Sequence, residues 1–214
     1  MRRAANILLI AGALGLLVYV ASAMKRPPKK PDKRLAALSQ TLIVLSPGAP
    51  VHVPRLLTAE GKVLGADALK GHWSVIFFGF TACPMVCPKT LSLLGAMARD
   101  PDSGIAARTT QPIFVSVDPE NDTPQQMQSY LRHFKGDILG VTGNRDALDQ
   151  FSREIGAGSE AVGSGIDHST SLFVVDPKGR VVGIMLRPND PLRLVADLKR
   201  LRAPEGDGDV SIGR

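Results

Sequence analysis

The sequence predicts an α/β domain, a mixed sheet flanked by helices, behind an N-terminal membrane segment. Three observations give that reading. From residue 73 onward, short apolar runs bounded by glycine alternate with stretches of helical periodicity, as strand–helix–strand units do. Near the C-terminus, 172–175 and 181–185 read as a hairpin across the turn Asp176-Pro-Lys-Gly179. At the other end, 4–24 is almost unbroken apolar sequence with Asn6 its one strongly polar residue, and about 20 apolar residues suffice to cross a bilayer.

In chain order, 1–3 is a short basic start and 4–24 the membrane anchor or signal. Residues 25–49 form a charged, proline-rich linker that opens Lys25-Arg-Pro-Pro-Lys-Lys-Pro31 and is extended and stiff. Late in it, 42–45 reads as a short strand, and Ser46-Pro-Gly-Ala-Pro50 reads as loop. The folded domain is expected over 50–202. It starts with a hairpin, 51–57 against 63–64 with its turn at 59–62, followed by a helical turn at 67–69. The strand 73–78 carries the continuous apolar run Val75-Ile-Phe-Phe78, which suits the centre of a sheet covered on both faces. A helix over 88–99 and a strand at 113–117 follow. Thr123 caps the next helix, with Pro124 in its first position, and that helix runs to 134. A strand at 138–141, a helix at 145–155, the closing hairpin and an amphipathic helix at 191–202 complete the domain. The remainder, 203–214, is a polar, Gly-rich flexible tail. In such sheets ligands gather beyond the carboxyl ends of the strands. That rule places the turn after 73–78 beside Asp118-Pro-Glu-Asn-Asp122, the turn after 113–117.

The formal charge of +6 is unevenly spread: residues 1–34 carry +7 and the rest −1. The domain is therefore neutral, with no basic stripe interleaved with aromatics, and a nucleic-acid partner is excluded. The leader has two readings. Ala21-Ser-Ala23 fits a signal cleavage site, whereas the apolar run exceeds the about 7–15 residues usual in a signal core and fits a retained anchor. Lys25, Arg26, Lys29, Lys30, Lys33 and Arg34 follow the span and only Arg2 and Arg3 precede it, so the positive-inside rule alone puts the domain in the cytoplasm.

The chain's two cysteines, Cys83 and Cys87, sit together at the exit of the strand 73–78. On a helical turn, residues four apart share a face with Cβ atoms about 5–6 Å apart. That is near enough for one disulfide or one metal ion. A disulfide this local closes a tiny loop and gains little in chain entropy. A proline after each cysteine and a place at a helix start predict exposed thiolates of lowered pKa, which serve redox chemistry and soft metals alike. His168, in Gly165-Ile-Asp-His-Ser-Thr-Ser-Leu-Phe173, stands just before a strand of the same sheet. A lone histidine is usually a surface or core residue, but near this turn its imidazole is a candidate third donor. Two thiolates and an imidazole match a closed four-ligand zinc site poorly. They suit copper, which takes soft sulfur as Cu(I) and accepts imidazole. Alone, the spacing is a weak signal. His52, His72 and His133 read as surface residues, and Trp73 as core.

Three motifs in order carry a resemblance. Phe78-Gly-Phe-Thr-Ala-Cys-Pro-Met-Val-Cys-Pro88, then Val115-Ser-Val-Asp-Pro119 with Asp122-Thr-Pro124, then Asp167-His-Ser169 with Asp176-Pro-Lys-Gly179 resemble the Sco/SenC family over roughly residues 50–200. The resemblance implies a thioredoxin-like domain tethered to a membrane. It implies that the domain faces the periplasm or the mitochondrial intermembrane space, against the charge rule. It further implies a copper chaperone for assembly of cytochrome c oxidase, with subunit II or another copper acceptor as partner. Copper, as Cu(I) or Cu(II), then falls on Cys83, Cys87 and His168, the cysteines also forming a redox disulfide. Asp118 takes a supporting or docking role beside the site. Two positions depart from the family pattern. Met85 stands where an acidic residue is usual, and reads as a solvent-facing loop methionine rather than a supplementary thioether ligand. Gly165-Ile166 replaces the tyrosine often found just before the Asp-His pair.

A second class of function is open on the same fold: a thiol–disulfide oxidoreductase acting on periplasmic cysteines, or a peroxidase. Redox members of the fold have two residues between their cysteines and a cis-proline facing them just before a strand. Here three residues intervene, and Ser169-Thr-Ser171 occupies the proline's place. Asp167-His168-Ser169 is no hydrolase triad, because neighbouring side chains of an extended chain point apart.

Overall fold

The strands are β1 (Leu42–Pro50), β2 (Leu56–Thr58), β3 (Val63–Leu64), β4 (Trp73–Gly79), β5 (Thr110–Ser116), β6 (Leu139–Thr142), β7 (Leu172–Val175) and β8 (Arg180–Met185). They join in one mixed sheet in the order β1-β8-β7-β4-β5-β6-β2-β3. The structure is a computed structural model, and it describes residues 42–105, 107–157 and 171–203. β4, β5 and β6 run parallel, and the outer strands on both sides are antiparallel to their neighbours.

β4 is the central strand that its apolar run predicts. Alternate residues face opposite sides of a sheet, so Val75 and Phe77 enter one core while Ile76 enters the other. The first core is covered by α1 (Val86–Met97), through Leu91, Leu94 and Met97, and by α4 (Pro191–Arg202), through Leu194, Val195 and Leu198. α2 (Pro124–Leu131) adds Met127 and Leu131. The second core is covered by α3 (Arg145–Ile155), through Leu148, Phe151 and Ile155. Helix starts follow their caps. Thr123 accepts from the Gln126 amide at 3.3 Å while Gln126 Oε1 accepts from the Thr123 amide at 3.0 Å, a capping box with Pro124 in the first position. Asn144 accepts from the Ala147 amide at 2.8 Å, and Gly156 closes α3 with φ +83°.

Some boundaries move. Residues 42–50, expected as the end of a linker with a loop at 46–50, form one edge strand paired with β8 from Leu42↔Met185 to Pro50↔Arg180. Its register breaks between Val44 and Ala49. Pro47 and Pro50 read as loop because they cannot donate to a ladder, yet an edge strand tolerates them. Gly48 is needed there, since a Cβ would stand 2.7 Å from Val182 Cγ1 and 2.8 Å from the Val181 carbonyl oxygen. The first hairpin strand begins at Leu56 rather than 51, β5 begins at Thr110 rather than 113, and α1 starts at Val86 rather than 88. Trp73 is half-buried at the rim of the core, with the Arg202 guanidinium 5.8 Å over its ring.

The expected membrane segment 4–24, the expected linker up to residue 41, His168 and the expected tail beyond Ala203 lie outside the described residues. Among the described residues no helix is long and apolar enough to cross a membrane.

One ionisable group is buried in α4 at a cost to the fold. Asp197 is 3% exposed and its Oδ2 has no hydrogen-bond partner. Burial pushes its carboxyl up to about 6, although Arg193 and Arg200 pull it down. The unfolded chain titrates near the ordinary value of about 3.9. The fold therefore binds this proton more tightly than the unfolded chain does, and stability falls as pH rises through that window. Asp197→Asn should melt roughly 3–6 °C above the wild type at pH 7. The two should converge near pH 4, and calorimetry at both pH values checks it.

Candidate metal centre

β4 and β5 end side by side. Gly79 pairs with Ser116, and the Val117 amide donates to the Gly79 carbonyl at 2.9 Å. Their two exit turns, one carrying the cysteines and the other carrying Asp118 to Asp122, therefore share one edge of the sheet, as the sequence predicts. After Gly79 the chain turns so that the Cys83 amide donates to the Phe80 carbonyl at 3.2 Å, and α1 starts three residues later at Val86. The Cys87 amide donates to Cys83 Sγ at 3.5 Å. The Cys83 sulfur thus sits at the open end of α1, where the first amides lack partners in the helix and the macrodipole favours negative charge. Both cysteines are free thiols, close enough to hydrogen-bond one another.

The expectation of two exposed thiolates is corrected. Cys83 is 4% exposed and Cys87 2%, and they differ in acidity. Burial pushes the Cys83 thiol up, but the Cys87, Met85 and Val86 amides and the Cys87 thiol outweigh it, so Cys83 lies below the ordinary thiol value. Cys87 is pushed up to about 12, first by burial and then by Cys83 and the Asp122 charge, against a backbone hydrogen bond with Phe80. The reason is position: Cys83 precedes the helix, whereas Cys87 lies within it, facing the core. Gly79 makes room for that packing. A Cβ there would stand 2.7 Å from Cys87 Sγ and 2.9 Å from Phe114 Cε2.

Asp118 is half-buried, and its carboxylate oxygens accept from Asn121 Nδ2 at 3.0 and 2.9 Å. The carboxylate that reaches the cysteine turn is Asp122, which sequence reasoning did not single out. It is 1% exposed and accepts from the Thr81 amide at 2.9 Å, from Thr81 Oγ1, and from Ser116 Oγ at 2.5 Å. One signal was available: Thr123 caps α2, so the acidic residue before it had no local task. Tyr130 was also missed. Its hydroxyl is buried without a partner, and its pKa is raised by burial first and then by Cys87, Cys83 and Asp122. Its ring centroid lies 6.2 Å from that of Phe114.

His168 falls outside the described residues. What the structure shows is the strand it leads into. β7 pairs antiparallel with β4, Leu172 opposite Phe77, so β7 starts at the edge where β4 ends. Among the described residues no group of three or more His, Cys, Asp or Glu side chains is placed to hold a metal. His52 and His133 are exposed and His72 is half-buried.

The profile described as SCO1/SenC matches residues 54–203. The chain belongs to the SCO1/SenC family. A Stutzerimonas stutzeri protein that bears the name "Putative copper-binding protein" is 32% identical over 183 residues, covering 80% of this chain and 86% of that one. The crystal structure of yeast Sco1 with copper bound superposes with a TM-score of 0.58 at 30% identity, covering 72% of this chain and 90% of that one. BsSco, described as a member of the Sco family of cytochrome c oxidase assembly proteins with a disulfide switch, gives a TM-score of 0.62. It covers 76% of this chain and 99% of its own, at 20% identity, a likeness of fold alone. The cysteine turn of this chain brings two soft donors together at a helix start, with a helix amide on one of them, a donor pair that fits a soft ion.

The asymmetry of the thiols is measurable. At pH 8 a thiol with a pKa of about 12 is thiolate in roughly one molecule in ten thousand. In reduced, metal-free protein, iodoacetamide should modify Cys83 well before Cys87, with Cys83 reactivity rising at a lower pH. Peptide mapping along the time course checks it, and equal rates would contradict the assigned asymmetry.

Proposed function

We propose that the protein is a copper metallochaperone that holds copper between Cys83, Cys87 and His168 and passes it to an acceptor during assembly of cytochrome c oxidase. The observation that carries the reading is the pair of free thiols at the exit of β4, on the edge where β7 begins. His168 precedes Leu172 by four residues, and four residues span at most about 13–14 Å. An imidazole so tethered is within range of that edge. The copper-binding relative and the copper-bound yeast Sco1 structure support the choice of ion.

The residues divide the work by chemistry. Cys83, held below the ordinary thiol value, gives up its proton the more readily; Cys87 gives up its own when the ion arrives; His168 closes the set as a neutral imidazole. Three ligands leave room for an acceptor's ligand to bind before one of the chaperone's lets go. The cysteines must be reduced to load, so a Cys83–Cys87 disulfide would switch binding off. Asp118, on the adjoining turn, takes a supporting or docking role in this reading. The acceptor is subunit II of the oxidase or another copper protein. His168→Ala should weaken copper retention against a competing chelator by more than about 100-fold while leaving cysteine alkylation unchanged. Retention equal to the wild type would remove this ligand set.

The thiol asymmetry also favours a second reading, since a low-pKa attacking thiol beside a buried partner is the arrangement of a dithiol oxidoreductase. Metal-free, reduced protein would then turn over a disulfide or peroxide substrate, and the chaperone reading expects no such turnover. The two are compatible in part, because an acceptor's cysteines must themselves be reduced to receive copper.

The proposed placement is an N-terminal membrane anchor with the domain in the periplasm or intermembrane space. In intact spheroplasts of a bacterial host, added protease should digest the domain. Full protection would put it on the cytoplasmic side, where the charge flanking 4–24 points.

A further inference from the structure

Both cysteines are buried, so an incoming ion meets something else before it meets sulfur from Cys83 or Cys87. At the rim of their turn stands Met85, 76% exposed, the most exposed large apolar side chain among the described residues. Its backbone is tied by hydrogen bonds while its side chain stands in solvent. The Met85 amide hydrogen-bonds to the Cys83 sulfur, and its carbonyl accepts from the Lys89 amide at 3.3 Å. It occupies the N-cap position of α1 yet supplies no side-chain cap. The result is a flexible thioether rooted within hydrogen-bond distance of the more acidic thiol and aimed at solvent. Its exposed neighbours Ala82 and Pro84 carry no donor group, Asp118 is engaged by Asn121, and Asp122 is buried.

We infer that Met85 is the outer ligand of a two-stage site: the sulfur that first receives a soft monovalent ion and last releases it, without holding it at equilibrium. This rests on the copper reading above and deepens it. A thioether is soft, so it selects Cu(I) over hard cations. It is neutral and needs no deprotonation, so capture requires no proton release, unlike binding by a thiol. It is also weak, so it yields the ion to a thiolate. The step is a ligand exchange. The Met85–Cu(I) bond breaks as the Cys83–Cu(I) bond forms, no electron moves, and each thiol that joins the ion gives up its own proton to water.

The test uses the full chain, reduced, with Cu(I) presented as its bicinchoninate complex. Loading and unloading are followed by stopped-flow absorbance, and affinity by equilibrium competition. Met85→Leu keeps size and apolarity but removes the sulfur; Met85→Ala removes both. The inference expects Met85→Leu to load and unload several-fold more slowly at unchanged affinity, with Met85→Ala no slower than Met85→Leu. In protein carrying 13C-methyl methionine, Ag(I) below one equivalent should shift or broaden the Met85 ε-methyl signal. Wild-type rates in Met85→Leu overturn the inference. If only Met85→Ala is slow, the residue serves as an apolar contact, which overturns it too. Affinity falling in step with the rates makes Met85 a resident ligand and overturns the two-stage site while leaving copper binding intact. Wild-type protein that takes up no Cu(I) overturns the copper reading, and this inference with it.

Discussion

The site depends on one buried carboxylate. Asp122 sits at the end of the turn after β5, yet its oxygens are spent on the turn after β4, 41 positions earlier, and on Ser116 at the end of its own strand. A buried charge with no partners would be strongly destabilising. Here three donors converge on it, so the charge becomes a clamp instead of a penalty. Each donor stranded by its loss would cost about 1–3 kcal/mol. The position of Thr81, and through it of Cys83, is therefore set by a neighbouring turn as much as by the cysteine turn's own sequence.

Around that clamp one helical turn gives two sulfurs different surroundings. Cys83 looks along the helix axis at unpaired amides, while Cys87 looks sideways into aromatic and aliphatic packing. The same two environments would suit metal loading or disulfide exchange, because either would begin at the more acidic thiol and end with the second sulfur losing its proton. The chemistry of the pair alone therefore does not choose between the two proposed readings.

Legibility in the sequence followed the range of the interactions. Thr123-Pro124, Asn144 and Gly156 bound their helices through contacts a few residues long, so α2 starts and α3 starts and ends where the sequence puts them. β4 was legible because a strand covered on both faces must be apolar throughout. β1 was not: Pro47, Gly48 and Pro50 spell a loop locally, and only pairing with β8 makes them strand. Nor was the burial of the cysteines legible. Proline and a helix start speak for exposure, whereas the packing of Phe114 and the absent side chain of Gly79 come from two different strands. Asp122 belongs to the same class, a residue whose partners lie mostly elsewhere in the chain.

The wedge between Gly79 and Phe114 has a mechanical consequence. The Cys87 sulfur fills the space that a side chain at position 79 would need, so the strand's backbone and the Phe114 ring close it in on that side. Were the distance between the two sulfurs to change, as a disulfide or a shared ion would require, the Cys87 side has the less room to give. The displacement would then fall on the Cys83 side, in a stretch whose Ala82, Pro84 and Met85 are all open to solvent.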